Sequence, residues 1–349
     1  MPNKALIAMS GGVDSAVAAL LTLRDGYDCT GATMRLSGFA SADGIDFNAA
    51  AAQSTAERLG IPFFTFDFQE RFTKQVIEPF IAVYRDGRTP NPCVMCNKHI
   101  KFGAFLEKAL ETERDCIVTG HYAQTGRDAG GRCLLKKGSD TTKDQSYVLY
   151  TLSQEQLARI RFPLGELTKR QVREIAKDAG LAGIPGGESQ DICFIPDGDY
   201  AKFIMQYTGE SPRKGRFVDT GGNDLGESKS VISYTIGQRR GLGLAMPHPS
   251  YVLELQPGDN TVVVGKEDLL YSKTFDITDI NLIPLERLDT VIRAQVRIRY
   301  SDPGHQATIR QTTENSLHIE FDEPQRAITK GQSAVIYDGD VVIGGGIII

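Results

Sequence analysis

The sequence predicts an α/β domain built on a parallel sheet, followed by two small, mostly-β domains, the last of them barrel-like. Three observations carry this. Over about the first 200 residues, short apolar runs alternate with segments of helical spacing, the βαβα order that puts helices on both faces of a parallel sheet. A glycine-rich turn directly follows the first apolar run, as at a strand-to-helix junction. After about residue 205, glycine and proline become frequent and β-branched residues cluster in short runs, as in small sheets and barrels. Boundaries near Asp199 and Leu270 divide the chain into 1–200, 201–270 and 271–349.

In chain order, Ala5–Met9 is a short apolar strand, and Val13–Arg24 a helix with Gly26 just beyond its end. Cys29–Leu36 is the next strand. Phe47–Leu59 is an alanine-rich helix stopped by Gly60. Pro62–Phe68 is strand-like, rich in aromatic residues. Phe72–Tyr84 has helical spacing, with Pro79 expected to bend it or end it early. Ile100–Glu111 is helical, and Cys116–Gly120 is a short buried strand. In the second half, strands are expected at Ser230–Ile236, Tyr251–Leu255, Thr261–Val264, Val291–Tyr300, Ala307–Gln311, Leu317–Phe321 and Ala334–Tyr337. There is no internal repeat and no low-complexity segment.

Composition narrows the class. With 41% hydrophobic and 24% charged residues, the chain has the balance of a globular protein. No apolar run approaches the ~20 residues of a membrane span, and the opening residues are too short a run for a secretory signal, so a cytoplasmic protein is expected. Six cysteines in a long chain of a reducing compartment read as reactive or metal-binding thiols, or as small core residues, before a disulfide framework. The net charge of -5 argues against bulk attraction to nucleic acid, so any RNA reading rests on local basic stretches.

The sharpest local signal is Ser10-Gly11-Gly12-Val13-Asp14-Ser15, between a strand and a helix. Glycines let the backbone turn tightly against a ligand, and the helix N-terminus offers free N–H groups and a positive dipole end. Ser10 and Ser15 add hydroxyls, and Asp14 is a candidate magnesium ligand. The segment lacks the lysine of a Walker loop and does not read GxGxxG. A plain glycine-containing turn is the bland alternative.

Cys93-Val94-Met95-Cys96 lies in a proline-flanked loop leading into a helix, and Cys193 lies in Glu188–Phe194. Cys96 near a helix N-terminus is expected to have a lowered thiol pKa and hence a reactive thiolate. A zinc site at Cys93, Cys96 and His99 is an alternative, but no local fourth ligand completes it. Cys29, Cys116 and Cys133 lie in or beside strand-like stretches and are read as buried core residues. Arg293, Gln295, Arg297 and Arg299 alternate with Ile292, Ala294, Val296 and Ile298, giving one basic and one apolar face. That face is either solvated or tracks RNA phosphates, with Tyr300 nearby for stacking.

The Ser10–Ser15 segment resembles the pyrophosphate motif of the N-type ATP pyrophosphatases. Together with Arg88–Phe102, Gly120-His121-Tyr122, Lys143–Leu149, Glu188–Phe194, Ile236–Gly243 and Gly331–Gly346, it makes the whole chain resemble the bacterial tRNA-specific 2-thiouridylases, the MnmA family. That resemblance implies ATP-dependent 2-thiolation of the wobble uridine of tRNA, with adenylation of the C2 oxygen followed by sulfur transfer. It places ATP on Ala8, Met9, Ser10, Gly11, Gly12, Val13, Asp14, Ser15, Met34 and Gly120. It makes Cys193 the persulfide carrier and Cys96 the partner nucleophile, joined by a transient disulfide. It sets Asn91, Pro92 and Cys93 against the target base, and His121, Lys143, Asp144, Gln145, Arg299, Tyr300 and Gln332 against tRNA. Its implied partners are the tRNA anticodon loop and a sulfur-donor protein, a cysteine desulfurase or a relay carrier, acting on a monomer.

Two departures stand out. Many members carry Asp where this chain has Cys93, so the role of that Asp does not transfer to a thiol. With three thiols, two routes are open: a persulfide on Cys193, or a [4Fe-4S] cluster held by Cys93, Cys96 and Cys193 with one iron open to sulfide. The second departure is the small-residue loop Leu36 to Asp46, which does not match the family's usual segment. The rival readings are another ATP pyrophosphatase-type synthetase or amidotransferase acting on a small molecule, and a non-catalytic, metal-stapled RNA-binding module.

Overall fold

The computed structural model describes residues 2–36, 47–181, 192–211 and 213–349. Most of the Leu36–Asp46 loop, and residues 188–191 of the Glu188–Phe194 motif, lie outside the described residues.

The first sheet is parallel, with β1 (Lys4–Ala8), β2 (Asp28–Arg35), β3 (Phe63–Asp67), β4 (Cys116–Val118) and β7 (Ile160–Arg161) in the order β3-β2-β1-β4-β7. Helix α1 (Val13–Arg24) connects β1 to β2, and α2 (Phe47–Leu59) connects β2 to β3. The bounds of β1 to β4, α1 and α2 lie within two residues of the sequence expectation, and the apolar residues of β1 are buried on both faces, as a central parallel strand requires; β7 was not expected. The strand order reverses direction at β1, between β2 and β4. In open α/β sheets, ligands bind outside the carboxyl ends of the strands at that point.

Two helical segments differ from expectation. The helix around Pro79 does not stop there. Helix α3 spans 69–85 and includes a π-helical turn, Thr73–Ile77, immediately before Glu78–Arg85. The wider turn accommodates the missing N–H and the ring of Pro79. Helix α4 starts earlier than expected, spanning 92–111, with Asn97–Ala104 again π-helical. The remaining helices are α5 (Gln154–Ala158), α6 (Lys169–Asp178) and α7 (Tyr200–Thr208).

The central segment forms a four-stranded sheet of β8 (Gly215–Val218), β9 (Asp224–Ser228), β10 (Tyr251–Gln256) and β11 (Thr261–Gly265). The strand expected at Ser230–Ile236 is instead a short 3-10 turn, Val231–Ser233. Val231 and Tyr234 plug the core of the small sheet, and the Val231 N–H donates to the Asn260 side chain rather than to a ladder.

The last segment is a closed six-stranded antiparallel barrel. It comprises β12 (Tyr271–Leu282), β13 (Ile292–Arg297), β14 (His305–Thr313), β15 (Ser316–Arg326), β16 (Ser333–Asp338) and β17 (Val341–Ile348), with β12 pairing both β15 and β17. Alternate residues such as Ala294, Val296, Ala307, Ile309, Leu317 and Ile319 fill its interior. The expected strand Val291–Tyr300 ends at Arg297, because Asp302 accepts from the backbone N–H of Ile298 and of Gly304 and turns the chain.

Pairing between the first 200 residues and the barrel is not legible in the sequence, although the stretch around Cys133 reads as strand-like. The hairpin β5 (Ala123–Arg127) and β6 (Cys133–Lys137) lies within the first 200 residues, yet β6 extends the barrel sheet by pairing Lys136 with Val341. A buried polar cluster ties the two together. Arg297 pairs with Asp144 at 2.9 Å, Ser146 Oγ meets the Tyr337 hydroxyl at 3.3 Å, and the Tyr147 hydroxyl donates to the Ser333 carbonyl at 2.8 Å.

Candidate active site

The phosphate loop follows β1. Gly11 has φ +77, open to glycine and strained for other residues. Gly12 is the N-cap of α1 and gives no side-chain cap, so the first N–H groups of the helix are left for a ligand. Ser15 Oγ donates to the Gly12 carbonyl at 2.9 Å and accepts from the Ser10 N–H at 3.2 Å, which folds the loop onto the helix. Ala8 and Val13 are half-buried at its ends, and the Met9 side chain is buried against Gly31, where a Cβ would lie 2.5 Å from the sulfur. Met34, half-buried near the end of β2, packs on the main core.

Gly120, just beyond β4, lies flat against this loop. A Cβ there would sit 2.9 Å from the Asp14 carbonyl carbon and 3.1 Å from the Ser15 nitrogen. Lys169, the first residue of α6, places Nζ 2.7 Å from both carboxylate oxygens of Asp14, and the Tyr122 hydroxyl donates to the same carboxylate at 2.8 Å. The loop thus gains from 155 residues away the lysine that a Walker loop carries within itself. With both Asp14 oxygens so engaged, Asp14 does not fit a preformed magnesium site.

The thiol segment enters α4 through Asn91, whose side chain accepts from the Val94 N–H at 3.4 Å, and Pro92, the first helical residue. Cys93 is exposed on the first turn, while Cys96 faces the main core and is 7% exposed. Cys193 is exposed on the segment opposite. The three thiols lie close enough to perturb one another: Cys93 and Cys193 each act on Cys96, and Cys93 acts on Cys193. Lys101 acts on all three and on His121. It is five residues beyond Cys96, and the i→i+5 bonding of the π-helical turn brings that spacing toward one face.

The expected lowering of the Cys96 thiol is overturned. Burial pushes it up to about 12, with Lys101 only partly opposing. The dipole effect fades within the first turn, whereas Cys96 closes the α-helical turn and sits in the core. Desolvation also raises Cys93 and Cys193, again against Lys101, although both keep a solvent-facing side. All six cysteines are free thiols, with Cys29, Cys116 and Cys133 buried as expected. Among the described residues, no group of three or more His, Cys, Asp or Glu side chains is arranged to hold a metal ion. Neither Cys93, Cys96 and Cys193 nor Cys93, Cys96 and His99 form a ready-made metal site in this geometry.

The residues assigned to tRNA fall in different settings. His121 is 7% exposed, hydrogen-bonds the Thr119 hydroxyl at 2.7 Å and packs on Phe102 and Phe162. Burial, with Lys101, holds its pKa well below the usual histidine value. Asp144 is buried and accepts from Gly138 and Ser146 as well as Arg297. Gln145 accepts from the Tyr122 N–H, and Lys143 is half-buried in the same turn. Of the basic face of β13, Arg297 is committed to Asp144 and Arg293 to Asp322 at 2.6 Å. Arg299 is exposed, as is Tyr300, which packs edge-on against Tyr147 and lies near enough to Cys93 to be perturbed by it. Gln332 donates to the carbonyls of Thr89 and Pro90 at 3.2 and 3.4 Å, on the approach to Cys93.

The strand end at β4 joins the two halves of the site. Gly120 touches the phosphate loop, and the next residue, His121, packs on Phe102, the neighbour of Lys101. Tyr122, Lys169 and Lys101 were not singled out from sequence. The Thr168-x-x-Gln171 capping box marks the start of α6, but nothing local says that Lys169 reaches Asp14.

Family models match the chain in three consecutive pieces: the tRNA methyl transferase HUP domain at residues 3–197, the tRNA methyl transferase PRC-barrel domain at 201–266, and the aminomethyltransferase beta-barrel domain at 272–348. A protein of Clostridioides difficile named tRNA-specific 2-thiouridylase MnmA is 45% identical over 357 residues, covering 100% of this chain and 98% of that one. The chain belongs to the tRNA-specific 2-thiouridylase (MnmA) family. Another 2-thiouridylase of that name, from Acetivibrio thermocellus, is 45% identical over 359 residues, covering 99% of each chain. A third, from Treponema denticola, is 44% identical over 358 residues, covering 99% of this chain and 97% of its own.

Proposed function

We propose that this 2-thiouridylase family member converts the wobble uridine of tRNA to 2-thiouridine, consuming ATP and releasing AMP and pyrophosphate. The observation that carries the reading is the β4 strand end, which packs the phosphate loop against one side and the thiol neighbourhood against the other through Gly120 and His121. A small-molecule synthetase of the same superfamily needs a phosphate loop but no second site of coupled thiols.

In the reaction, the uracil C2 oxygen attacks the α-phosphorus of ATP, the bond to the bridging oxygen of the β-phosphate breaks, and pyrophosphate leaves. The α1 N–H groups and Lys169 face the polyphosphate charge, so stabilisation comes from fixed donors already in place. Cys193 arrives as a persulfide loaded by a sulfur-donor protein. Its terminal sulfur attacks C2 and displaces AMP. The Cys96 thiolate then attacks the inner Cys193 sulfur, releasing 2-thiouridine and leaving a Cys96–Cys193 disulfide, which a cellular dithiol reduces with two electrons. Cys96 rests protonated, so it must lose its proton before it attacks, and Lys101 stabilises the thiolate. Cys93 carries no carboxylate charge and is a protonated thiol at neutral pH, so it does not serve as a general base. Tyr300, near Cys93, and the exposed Arg299 next to it in the chain provide stacking and phosphate contact for an anticodon nucleotide turned out of its loop.

The donor protein, a cysteine desulfurase or a relay carrier, delivers to exposed Cys193, and the enzyme works as a cytoplasmic monomer. Among the described residues, no helix is long and apolar enough to cross a membrane. The test is incubation of the protein with ATP, a persulfide source and unmodified tRNA, measuring pyrophosphate and thiolated nucleosides by mass. Pyrophosphate release without any thiolated uridine, or thiolation that persists in Cys193→Ser, sinks the reading.

A further inference from the structure

We propose that residues 330–332 of the C-terminal barrel are positioning residues for the thiol loop, holding the entry to Cys93 in place before any RNA binds. This deepens the functional reading and rests on it for the role of Cys93 and Cys96. The contacts are specific. The Thr89 N–H donates to the Lys330 carbonyl at 2.9 Å, and Gln332 Nε2 donates to the Thr89 and Pro90 carbonyls. Between them Gly331, at φ +89, lets the two backbones meet: a Cβ would lie 2.9 Å from the Thr89 oxygen and 3.0 Å from both the Thr89 nitrogen and Arg88 Cβ.

The barrel side of this contact is itself anchored. The Gly331 N–H donates to the Ile348 carbonyl, and the Ile348 N–H to the Gln332 carbonyl. Ser333, the next residue, receives the Tyr147 hydroxyl on its carbonyl and meets the Tyr150 hydroxyl at 3.2 Å. From the other side the central sheet presses on the same loop. A Cβ on Gly87, at φ +68, would lie 2.9 Å from Pro257 Cγ and 3.1 Å from the Leu255 carbonyl. The segment 87–92 is therefore wedged between both β domains, with two prolines limiting its own freedom. Its far end is the N-cap of α4, which fixes the direction of Cys93 and the depth of Cys96. A misplacement of the order of 1 Å in reacting groups costs ~100-fold in rate, so a loop so held controls chemistry without touching substrate.

Gln332 carries two competing assignments, tRNA contact and loop positioning, and they predict different results in RNA-free protein. The experiment compares Gln332→Ala, Gly331→Ala and Gln332→Asn with wild type. It reads amide exchange at Thr89 and the alkylation rate of Cys93 without RNA, then kcat and KM for tRNA, with thermal melting as a check on folding. Positioning predicts at least tenfold faster exchange at Thr89 and a changed Cys93 alkylation rate in both Ala substitutions. It also predicts a fall in kcat of tenfold or more with little change in KM, and a smaller defect in Gln332→Asn. Unchanged exchange and alkylation with only a raised KM for tRNA overturns the proposal in favour of RNA contact. If Gly331→Ala fails to fold, Gln332→Ala decides alone. Were wild type to prove inactive in thiolation, the functional reading would fall, while the exchange and alkylation measurements would still decide whether the barrel holds the loop.

Discussion

Replacing Lys169 by methionine isolates the charge balance of the phosphate loop. The Lys169–Asp14 side chains are 14% and 34% exposed, so the pair sits between the surface and buried regimes. Exposed pairs contribute ~0.2–1 kcal/mol, and breaking a fully buried one costs ~3–5 kcal/mol. An intermediate loss of about 2 kcal/mol in folding stability is expected. The effect on nucleotide is separate. Without Lys169, Asp14 presents an uncompensated negative charge at the N-terminus of α1, where the proposed function places the polyphosphate, with the Tyr122 hydroxyl as its remaining side-chain donor among the described residues. Two unit charges ~4 Å apart interact by about 4 kcal/mol at an effective dielectric of about 20, and partial exposure halves this to about 2 kcal/mol. That corresponds to ~30-fold weaker binding of ATP. Calorimetric titration with α,β-methylene-ATP, which cannot be cleaved at the reacting bond, measures it without turnover. Asp14→Asn combined with Lys169→Met removes the repulsion and is expected to recover most of the affinity. Binding within twofold of wild type in a folded Lys169→Met protein, or a double variant no better than the single one, refutes the charge argument.

Cys96→Ser and Cys193→Ser are each expected to lower 2-thiouridine formation at least a hundredfold while tRNA-dependent pyrophosphate release stays within a few-fold, read by nucleoside mass and phosphate assays. Gly120→Ala drives a methyl group into the Asp14–Ser15 backbone and is expected to raise KM for ATP tenfold or more, with a melting temperature a few degrees lower. His121 is held neutral in the fold, so its contribution to stability is full above pH 6.5 and declines as pH falls below it, by up to ~1.4 kcal/mol per unit. Melting curves from pH 7 to 5 check this, and His121→Gln should flatten that slope. For RNA, Arg299→Ala should reduce the slope of log affinity against log salt by ~0.7–0.9, while Arg293→Ala, already paired with Asp322, should change it less.

What sequence could read here was whatever depends on near neighbours. Val13–Arg24 and Phe47–Leu59 were placed to the residue, because periodicity, a preceding glycine turn and a following glycine all act within a few positions. Pro79 misled because its local cost is real, and the π-helical turn that relieves it leaves no compositional mark. Ser230–Ile236 reads as a strand by residue type, yet the Asn260 side chain accepts the Val231 N–H and removes it from any ladder. The stretch at Cys133 reads as strand-like, but its partner β5, polar and glycine-containing, has weak strand preference and hides the hairpin. What makes it a strand pair is the barrel edge, supplied some 200 residues later.

The same distinction explains why the chemistry was legible and its tuning was not. A glycine loop before a helix and a cysteine pair after prolines announce phosphate and sulfur through their own backbone demands. Their protonation and charge are set by side chains that arrive from elsewhere: Tyr122 reaches Asp14 across 108 residues, Lys169 across 155, and Gln332 reaches Thr89 across 243. The helix-end argument for a reactive Cys96 weighed one favourable local field and omitted the desolvation that the completed core imposes. For a thiol 7% exposed, desolvation is the larger effect. A resting thiol pushed up to about 12 is inert to stray oxidants. Net charge misleads in the same way. Arg293 and Arg297 form a basic stripe in sequence, but Asp322 and Asp144 neutralise them in the fold, which leaves Arg299 as an exposed basic residue beyond the end of that strand.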